Sequence, residues 1–586
     1  MSSVAITGQC ERACASDERQ SGPASGAAAA ALRGSHATAR RIPLALVITL
    51  ALAYMLPGLI GHDPWKQDEA YIFSSVYHML QTGDWVVPYV AGEPFMEKPP
   101  LFHLVAAALA ALMSPLLTLH DGARLASGLF VAVVLIAIGW SARRSWGDGH
   151  GRGAVLLMLS CLGWVVDAHM MTTDLALAAG FAIAVAGFVA CQRSLRWSGL
   201  WLGTGAGMAF LAKGLIGPGV IGIAAMLLPL LFREWRSRSY WRQLRWAALA
   251  ALPWLTIWPT TLYLRSPELF QIWIWDNNIG RFLGFSVPYL GAVNEPGFWW
   301  KTYPWFLFPL WLFAALAFWP WRRTAWRQPA VQIGVVLTTV MALVLGTSAS
   351  ARPLYALPIA VTLAFVGAGA LAEVPHWIER SLMVLGIALG CAATAFFWLV
   401  WASQVTYDGV PGWPWLGRWL PLDFALPFSA SALVSASAIT LGAAALVVMT
   451  RKCQERGLVS LCAALTVAWG LAATLWLPWI DASKSYRAMY QSMKTALPAY
   501  TSCIASLNLG ESEQAMLDYV LNIRTQPAAS AADIRCEALL VESIGPQLSP
   551  VPHGMVLAWS GSRPGDARER FDLYIQRKSV AINTLR

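Results

Sequence analysis

The residues of this sequence best suited to chemistry are acids and bases standing at the ends of apolar runs. Asp68 and Glu69 come shortly after the first apolar run, 42–60, in Lys66-Gln67-Asp68-Glu69-Ala70-Tyr71. A carboxylate at a bilayer edge stays ionised where a lipid headgroup arrives, which suits a general base. The same polar stretch continues through Gly83-Asp84-Trp85-Val86-Val87-Pro88 to Glu97-Lys98-Pro99-Pro100. Farther along, Asp174 closes Met171-Thr172-Thr173-Asp174, and Lys213 lies in Phe210-Leu211-Ala212-Lys213-Gly214. Arg281 opens Arg281-Phe282-Leu283-Gly284, and Arg352 and Tyr355 share Arg352-Pro353-Leu354-Tyr355-Ala356-Leu357-Pro358. Lys offers an anion a point charge and Arg a bidentate fork. Each also has a plainer structural reading: Asp174 as a helix N-cap, Lys213 as a snorkelling residue, Arg352 as an interfacial anchor.

The elements that must position these groups are membrane helices. The 586 residues are 57% hydrophobic and 13% charged, with 31 Trp, against about 25% charged residues in a soluble protein. Many apolar runs reach the roughly 17–25 residues that cross a bilayer as helix. They are continuous rather than alternating, which excludes a β-barrel. The net charge of +10 sits in short loops between the runs, so it reports topology rather than a nucleic-acid partner. These loops carry Arg143, Arg144 and Arg152; Arg193 and Arg196; the arginines from 233 to 245; Arg322, Arg323 and Arg327; and Arg451, Lys452 and Arg456. All fall on the cytoplasmic side if the run 101–119 lies along the interface instead of spanning.

The expected class is therefore an all-α polytopic membrane protein of about 13 transmembrane helices. The expected spans are 42–60, 123–142, 153–170, 175–191, 198–212, 214–232, 246–264, 299–319, 331–349, 353–372, 381–402, 424–450 and 458–479. Residues 1–41 read as a disordered cytoplasmic tail, 42–480 as the membrane domain, and 61–121 and 265–298 as extracytoplasmic loops. Asp68, Glu97, Lys98, Asp174, Lys213, Arg281 and Arg352 all then fall on the extracytoplasmic side. Residues 481–586 break the composition and alternate helix-like with strand-like stretches, as in a small extracytoplasmic α/β domain. A Cys503–Cys536 disulfide fits there if the compartment is oxidising. The tryptophans 273, 275, 299, 300 and 305 suit an aromatic belt. The sequence has no P-loop, no dinucleotide fingerprint and no zinc-spaced cysteine pairs.

The Asp-Glu pair after the first span, Gly-Asp-Trp-Val-Val-Pro, Glu-Lys-Pro-Pro and the motifs around Asp174, Lys213, Arg281 and Arg352 together resemble the polyprenyl-phosphate-dependent glycosyltransferases of the GT-C fold. Within these the sequence is most similar to bacterial aminoarabinose transferases of lipid A and their protein-mannosyltransferase-like relatives. The resemblance covers roughly residues 42–375 by motif. It implies sugar transfer from undecaprenyl phosphate to lipid A or another cell-envelope lipid or glycan, at the periplasmic face of a bacterial inner membrane. Asp68, Glu69 and Asp174 would be catalytic. Lys98, Lys213, Arg352 and Tyr355 would hold the donor phosphate, and Glu97 and Arg281 would bind substrate. A single displacement would invert the sugar. Two departures stand out. Ala70-Tyr71-Ile72 replaces the family's Thr-Arg-Tyr, which leaves donor and acceptor open. The family's Glu of Glu-Lys-Pro can join a His of the later loop around a divalent ion, but Val293-Asn294-Glu295-Pro296 contains no His, so no metal of that kind is expected. Two alternatives remain: protein O-mannosyl-type transfer, and a transporter, which predicts midplane charges and two-half symmetry not visible in this sequence.

Overall fold

A computed structural model describes residues 41–190, 194–318, 325–407, 413–499, 501–528, 536–545, 553–566 and 568–576. The tail 1–40 and Arg193, Arg322 and Arg323 of the basic loops lie outside them. The chain is mostly helical. Its first half runs through α1 (Leu44–Met55), α2 (Asp68–Thr82), α3 (Leu101–Met113), α4 (Leu119–Trp146), α5 (His150–Leu159), α6 (Trp164–Asp167), α7 (Thr173–Val189), α8 (Leu195–Lys213), α9 (Ile216–Leu231) and α10 (Arg238–Arg265). A two-stranded hairpin, β1 (Tyr89–Val90) and β2 (Glu93–Pro94), stands between α2 and α3. After a stretch of shorter helical segments, among them Phe298–Phe306 and Leu310–Phe318, come α11 (Pro329–Thr347), α12 (Leu357–Gly367), α13 (His376–Tyr407), α14 (Ala430–Thr450), α15 (Arg456–Ala472) and α16 (Leu477–Lys484).

Among the described residues six helices are long and apolar enough to cross a membrane, or seven if α15 and α16, bent by 65°, form one span. Four shorter apolar helices, α1, α3, α7 and α9, accompany them. At 1.5 Å per residue the 13-residue α3 is about 20 Å long, short of a hydrocarbon core of about 30 Å.

Three of the expected spans are broken: 458–479 bends between α15 and α16, and two others break for a shared reason. The run 153–170 stops as α5 at Leu159, and 299–319 divides into Phe298–Phe306 and Leu310–Phe318. Pro309 has no N–H and interrupts the second run. The carbonyls of Phe306 and Phe308 accept from the amides of Gly163 (2.9 Å) and Leu162 (3.0 Å) in the first break. Each break supplies the partners the other lacks, as buried backbone in an apolar setting requires.

Small residues set the helix spacing around α8. A Cβ at Gly203 would lie 2.1 Å from the Ala247 carbonyl of α10, and one at Gly199 2.4 Å from the Trp246 Cβ. On another face, a Cβ at Gly205 would lie 2.5 Å from the Gly180 carbonyl of α7. Backbones this close gain van der Waals contact where no hydrophobic drive separates helix from lipid. The packing fixes the C-terminus of α8, where Lys213 stands, beside the N-terminus of α7, where Asp174 stands.

The C-terminal part contains α17 (Arg487–Ala496), β3 (Ile504–Leu507), α18 (Glu511–Leu521), β4 (Gln526–Pro527), β5 (Ala538–Ile544), β6 (Met555–Gly561) and β7 (Glu569–Gln576). The sheet order is β4-β3-β5-β7-β6. β3 lies parallel to β4 and β5, and β7 antiparallel to β5 and β6. Cys503 and Cys536 form a disulfide. Trp273 departs from the belt reading: it is buried, edge-on to Phe210 and Trp258.

Candidate active site

Three ion pairs bring the acids and bases of the sequence together. Arg352 Nη1 donates to Asp68 Oδ1 at 2.8 Å. Lys213 Nζ reaches both oxygens of Asp174 at 2.6 Å and lies 4.1 Å from the centre of the Tyr355 ring. Arg281 pairs with Glu97, whose other oxygen is 3.9 Å from Lys98 Nζ.

The local causes are readable. Asp68 and Glu69 open α2, where acids suit the positive end of the helix dipole. Asp174 lies in the first turn of α7, but Thr172 rather than Asp174 is the N-cap: its hydroxyl accepts from the Asp174 amide at 3.3 Å. Asp174 is thereby left for Lys213. Lys213 ends α8, where a cation suits the dipole, and Gly214 follows at φ +71°. A Cβ at Gly214 would lie 1.8 Å from Asn278 Oδ1, which accepts from the Leu215 amide at 3.0 Å. The loop bearing Arg281 is pinned to the segment before Arg352. The Ala349 amide donates to the Phe282 carbonyl (3.0 Å), and the Ala351 amide to the Ala292 carbonyl (2.8 Å).

A cavity of about 350 Å³ has Glu97, Lys98, Asp174, Lys213, Arg281 and Tyr355 at its polar end. Its apolar walls come from α9 (Ile216, Val220, Ile223) and α11 (Met341, Val344, Leu345). Ile223, Leu215 and Leu283 are exposed on its flank. At the polar end three cations face two carboxylates, so the lining keeps positive charge for an anion. Burial would raise the Glu97 carboxyl, but Lys98 and Arg281 outweigh it and hold it below the usual range. Burial would lower the Lys98 ammonium, but Glu97, Tyr355 and Asp174 together outweigh it and hold it above. Both groups stay charged.

Asp68, Glu69 and Arg352 stand beside this cavity rather than in its lining. Glu69 is fully buried. Its oxygens accept from Arg124 Nε (2.8 Å), the Met171 amide (3.1 Å) and the Trp65 amide (3.2 Å). It ties α2 to α4 and to the turn before Asp174, and its acceptor sites are spent on that. Sequence reasoning missed Asp167. It sits on α6 in the 160–172 connection, outside the long helices. Burial and the neighbouring Asp174 and Asp68 push its carboxyl up to about 7. The signal available was an acid inside a run otherwise taken as a span.

The surroundings of Glu97 do not fit a divalent ion. Arg281 and Lys98 already share its carboxylate, and their two positive charges repel a third.

The fold is of the GT-C type. The chain superposes with a TM-score of 0.66 on ArnT from Cupriavidus metallidurans bound to undecaprenyl phosphate, at 18% identity, over 90% of this chain and 97% of that one. In sequence it is aminoarabinose-transferase-like. It is 28% identical over 363 residues to the undecaprenyl phosphate-alpha-4-amino-4-deoxy-L-arabinose arabinosyl transferase of Pseudomonas aeruginosa (strain UCBPP-PA14), covering 56% of this chain and 59% of that protein. It is 27% identical over 403 residues to the like-named enzyme of Edwardsiella ictaluri (strain 93-146), covering 64% and 67%. The match thus spans about six-tenths of the length of the Pseudomonas aeruginosa relative. Residues 97–263 match the family model described as dolichyl-phosphate-mannose-protein mannosyltransferase.

Proposed function

We propose that this chain is an integral membrane glycosyltransferase that moves a sugar from an undecaprenyl-phosphate carrier to lipid A or another cell-envelope lipid or glycan. The observation that carries this reading is the cavity itself: a cationic end joined to an apolar wall between α9 and α11. That pairing suits a phosphate attached to an isoprenoid, with the phosphate at the charged end and the chain along the helices. The proposed setting is a bacterial inner membrane with the site on the periplasmic face. About 13 spans within 42–480, with 481–586 outside, is the topology that goes with it.

In the proposed reaction the bond between the sugar's anomeric carbon and the phosphate oxygen breaks, and a bond from the acceptor oxygen to that carbon forms. Attack opposite the leaving phosphate inverts the centre. Lys98 and Lys213 meet the charge that develops on the phosphate, with Tyr355 holding Lys213 in place. Asp68 takes the proton of a hydroxyl acceptor, or with Arg352 orients an acceptor that is already ionised. Arg281 and Glu97 close the sugar end. Glu69 acts only through the elements it joins.

The test is mass spectrometry of lipid A and surface glycans from a host lacking its own aminoarabinose transferase. Expression of the chain should add one sugar mass. Asp68→Asn should lower the adduct by about 10²–10⁴-fold, the range of a lost general base, with protein still in the membrane. Normal adduct with Asp68→Asn would remove its assigned role. The mannosyltransferase family match, together with Ala70-Tyr71 in place of the expected Thr-Arg, favours one second reading: transfer to protein. A glycosylated peptide with unmodified lipid A would select it.

A further inference from the structure

Among the described residues one trio of acids, Glu513, Glu542 and Glu569, brings its carboxylate oxygens within 4.8 Å of one another. All three are buried, and gathered carboxylates of this kind are costly unless paired. Part of the pairing comes from within the C-terminal domain: Arg563 Nη2 reaches Glu569 at 2.7 Å, and the Tyr486 hydroxyl donates to Glu513 at 2.7 Å. The rest comes from the membrane domain. Lys66 enters the group, pairing with Glu513 at 2.9 Å and with Glu569.

Lys66 is two residues before Asp68, and the residue between them is held as well. The Ser512 hydroxyl of α18 donates to the Gln67 carbonyl at 3.2 Å. The Gln67 side-chain oxygen accepts from Arg352 Nη2 at 2.9 Å, while Nη1 of the same guanidinium binds Asp68. A continuous set of polar contacts therefore runs from the acidic trio through Lys66 and Gln67 to the Asp68–Arg352 pair.

We propose that Lys66 is a positioning residue: gripped by Glu513 and Glu569, it lets the C-terminal domain set the place of Asp68 and Arg352. This rests on the glycosyltransferase reading above. Lys66 touches no substrate in this account. Its contribution is geometric, and a displacement of about 1 Å at a reacting group can lower a rate by about 10²-fold.

The experiment compares full-length wild type, Lys66→Met, Lys66→Arg and the swap Lys66→Glu with Glu569→Lys, all in lipid nanodiscs. It reads kcat, donor KM, Tm and hydrogen exchange over residues 66–71. Lys66→Met should lower kcat by about 10–10²-fold, leave donor KM nearly unchanged and speed exchange over 66–71. Lys66→Arg should restore most of both, and the swap part of them. Wild-type kcat and exchange in Lys66→Met would overturn the proposal. So would a loss that follows falling Tm and is not rescued by Arg. Where Lys66→Met does not fold, Ser512→Ala carries the same readouts: faster exchange and lower kcat support the proposal, and wild-type values overturn it. If the wild type itself transfers no sugar, the glycosyltransferase reading fails, and hydrogen exchange still decides whether the grip orders this segment.

Discussion

At the scale of single residues, the Asp174–Lys213 pair separates an ionic role from a chemical one. Both side chains are nearly buried, at 2% and 11% exposed. Lys213→Met leaves a buried carboxylate without its partner, which costs about 3–5 kcal/mol. The double variant Asp174→Asn with Lys213→Met removes both charges and should regain most of that in thermal unfolding. It should still bind undecaprenyl phosphate weakly in a direct binding assay, because the phosphate has lost a cation. Wild-type affinity in the double variant would leave Lys213 a structural role only. That these charged residues gather was foreshadowed by their placement at the ends of apolar runs, where an unpaired charge is costly. Glu69 shows the limit of that logic. Its neighbour Asp68 and the shared motif spoke for catalysis, but only the fold reveals Arg124 and two amides around it. Asp167 was hidden for the opposite reason, since its apolar neighbours made it part of a hydrophobic run.

Elements of the C-terminal part were the most legible. Short strand-like runs at 503–507, 538–541, 555–559 and 571–575, set between helix-like stretches, foretold β3, β5, β6 and β7, because brief apolar runs bounded by polar and turn residues read as strands. The two-residue β4 is too short to leave such a mark. Broken spans were the least legible, since hydropathy records burial and not the path of the backbone; the pairing of 162–163 with 306 and 308 is a long-range fact. The Cys503–Cys536 bridge closes a loop with a sequence separation of 33. Chain entropy gives it about 3–4 kcal/mol, so Cys503→Ser with Cys536→Ser should lower the unfolding temperature of the C-terminal domain, read by near-UV circular dichroism. An unchanged transition would contradict this. The acidic trio adds a pH dependence. Burial and Glu513 push the Glu542 carboxyl up to about 7. A raised carboxyl favours the folded state fully below its ordinary value, and that stability is lost as pH rises through about 7. Glu542→Gln should therefore raise Tm by a few degrees at pH 8 and by less at pH 5. A gain of equal size at both pH values would contradict the assignment.

For the molecule as a whole, the membrane character was open to sequence reasoning, because the bilayer constrains run length. The docking of the C-terminal domain on residues 63–67 was not, since it depends on contacts such as Arg487 with Asp63 at 2.5 Å and Trp65 Nε1 with Asp481 at 2.9 Å, each more than 400 residues apart in the chain. The central claim is that the cationic end of the α9–α11 cavity receives a phosphate carried on an isoprenoid. Its most direct test is a cryo-EM map of the full chain in nanodiscs with undecaprenyl phosphate. The phosphate should lie within hydrogen-bond reach of Lys98 and Lys213, with the isoprenoid running along Ile216, Val220 and Val344. A phosphate bound elsewhere, with this cavity closed or filled by side chains, would contradict the claim.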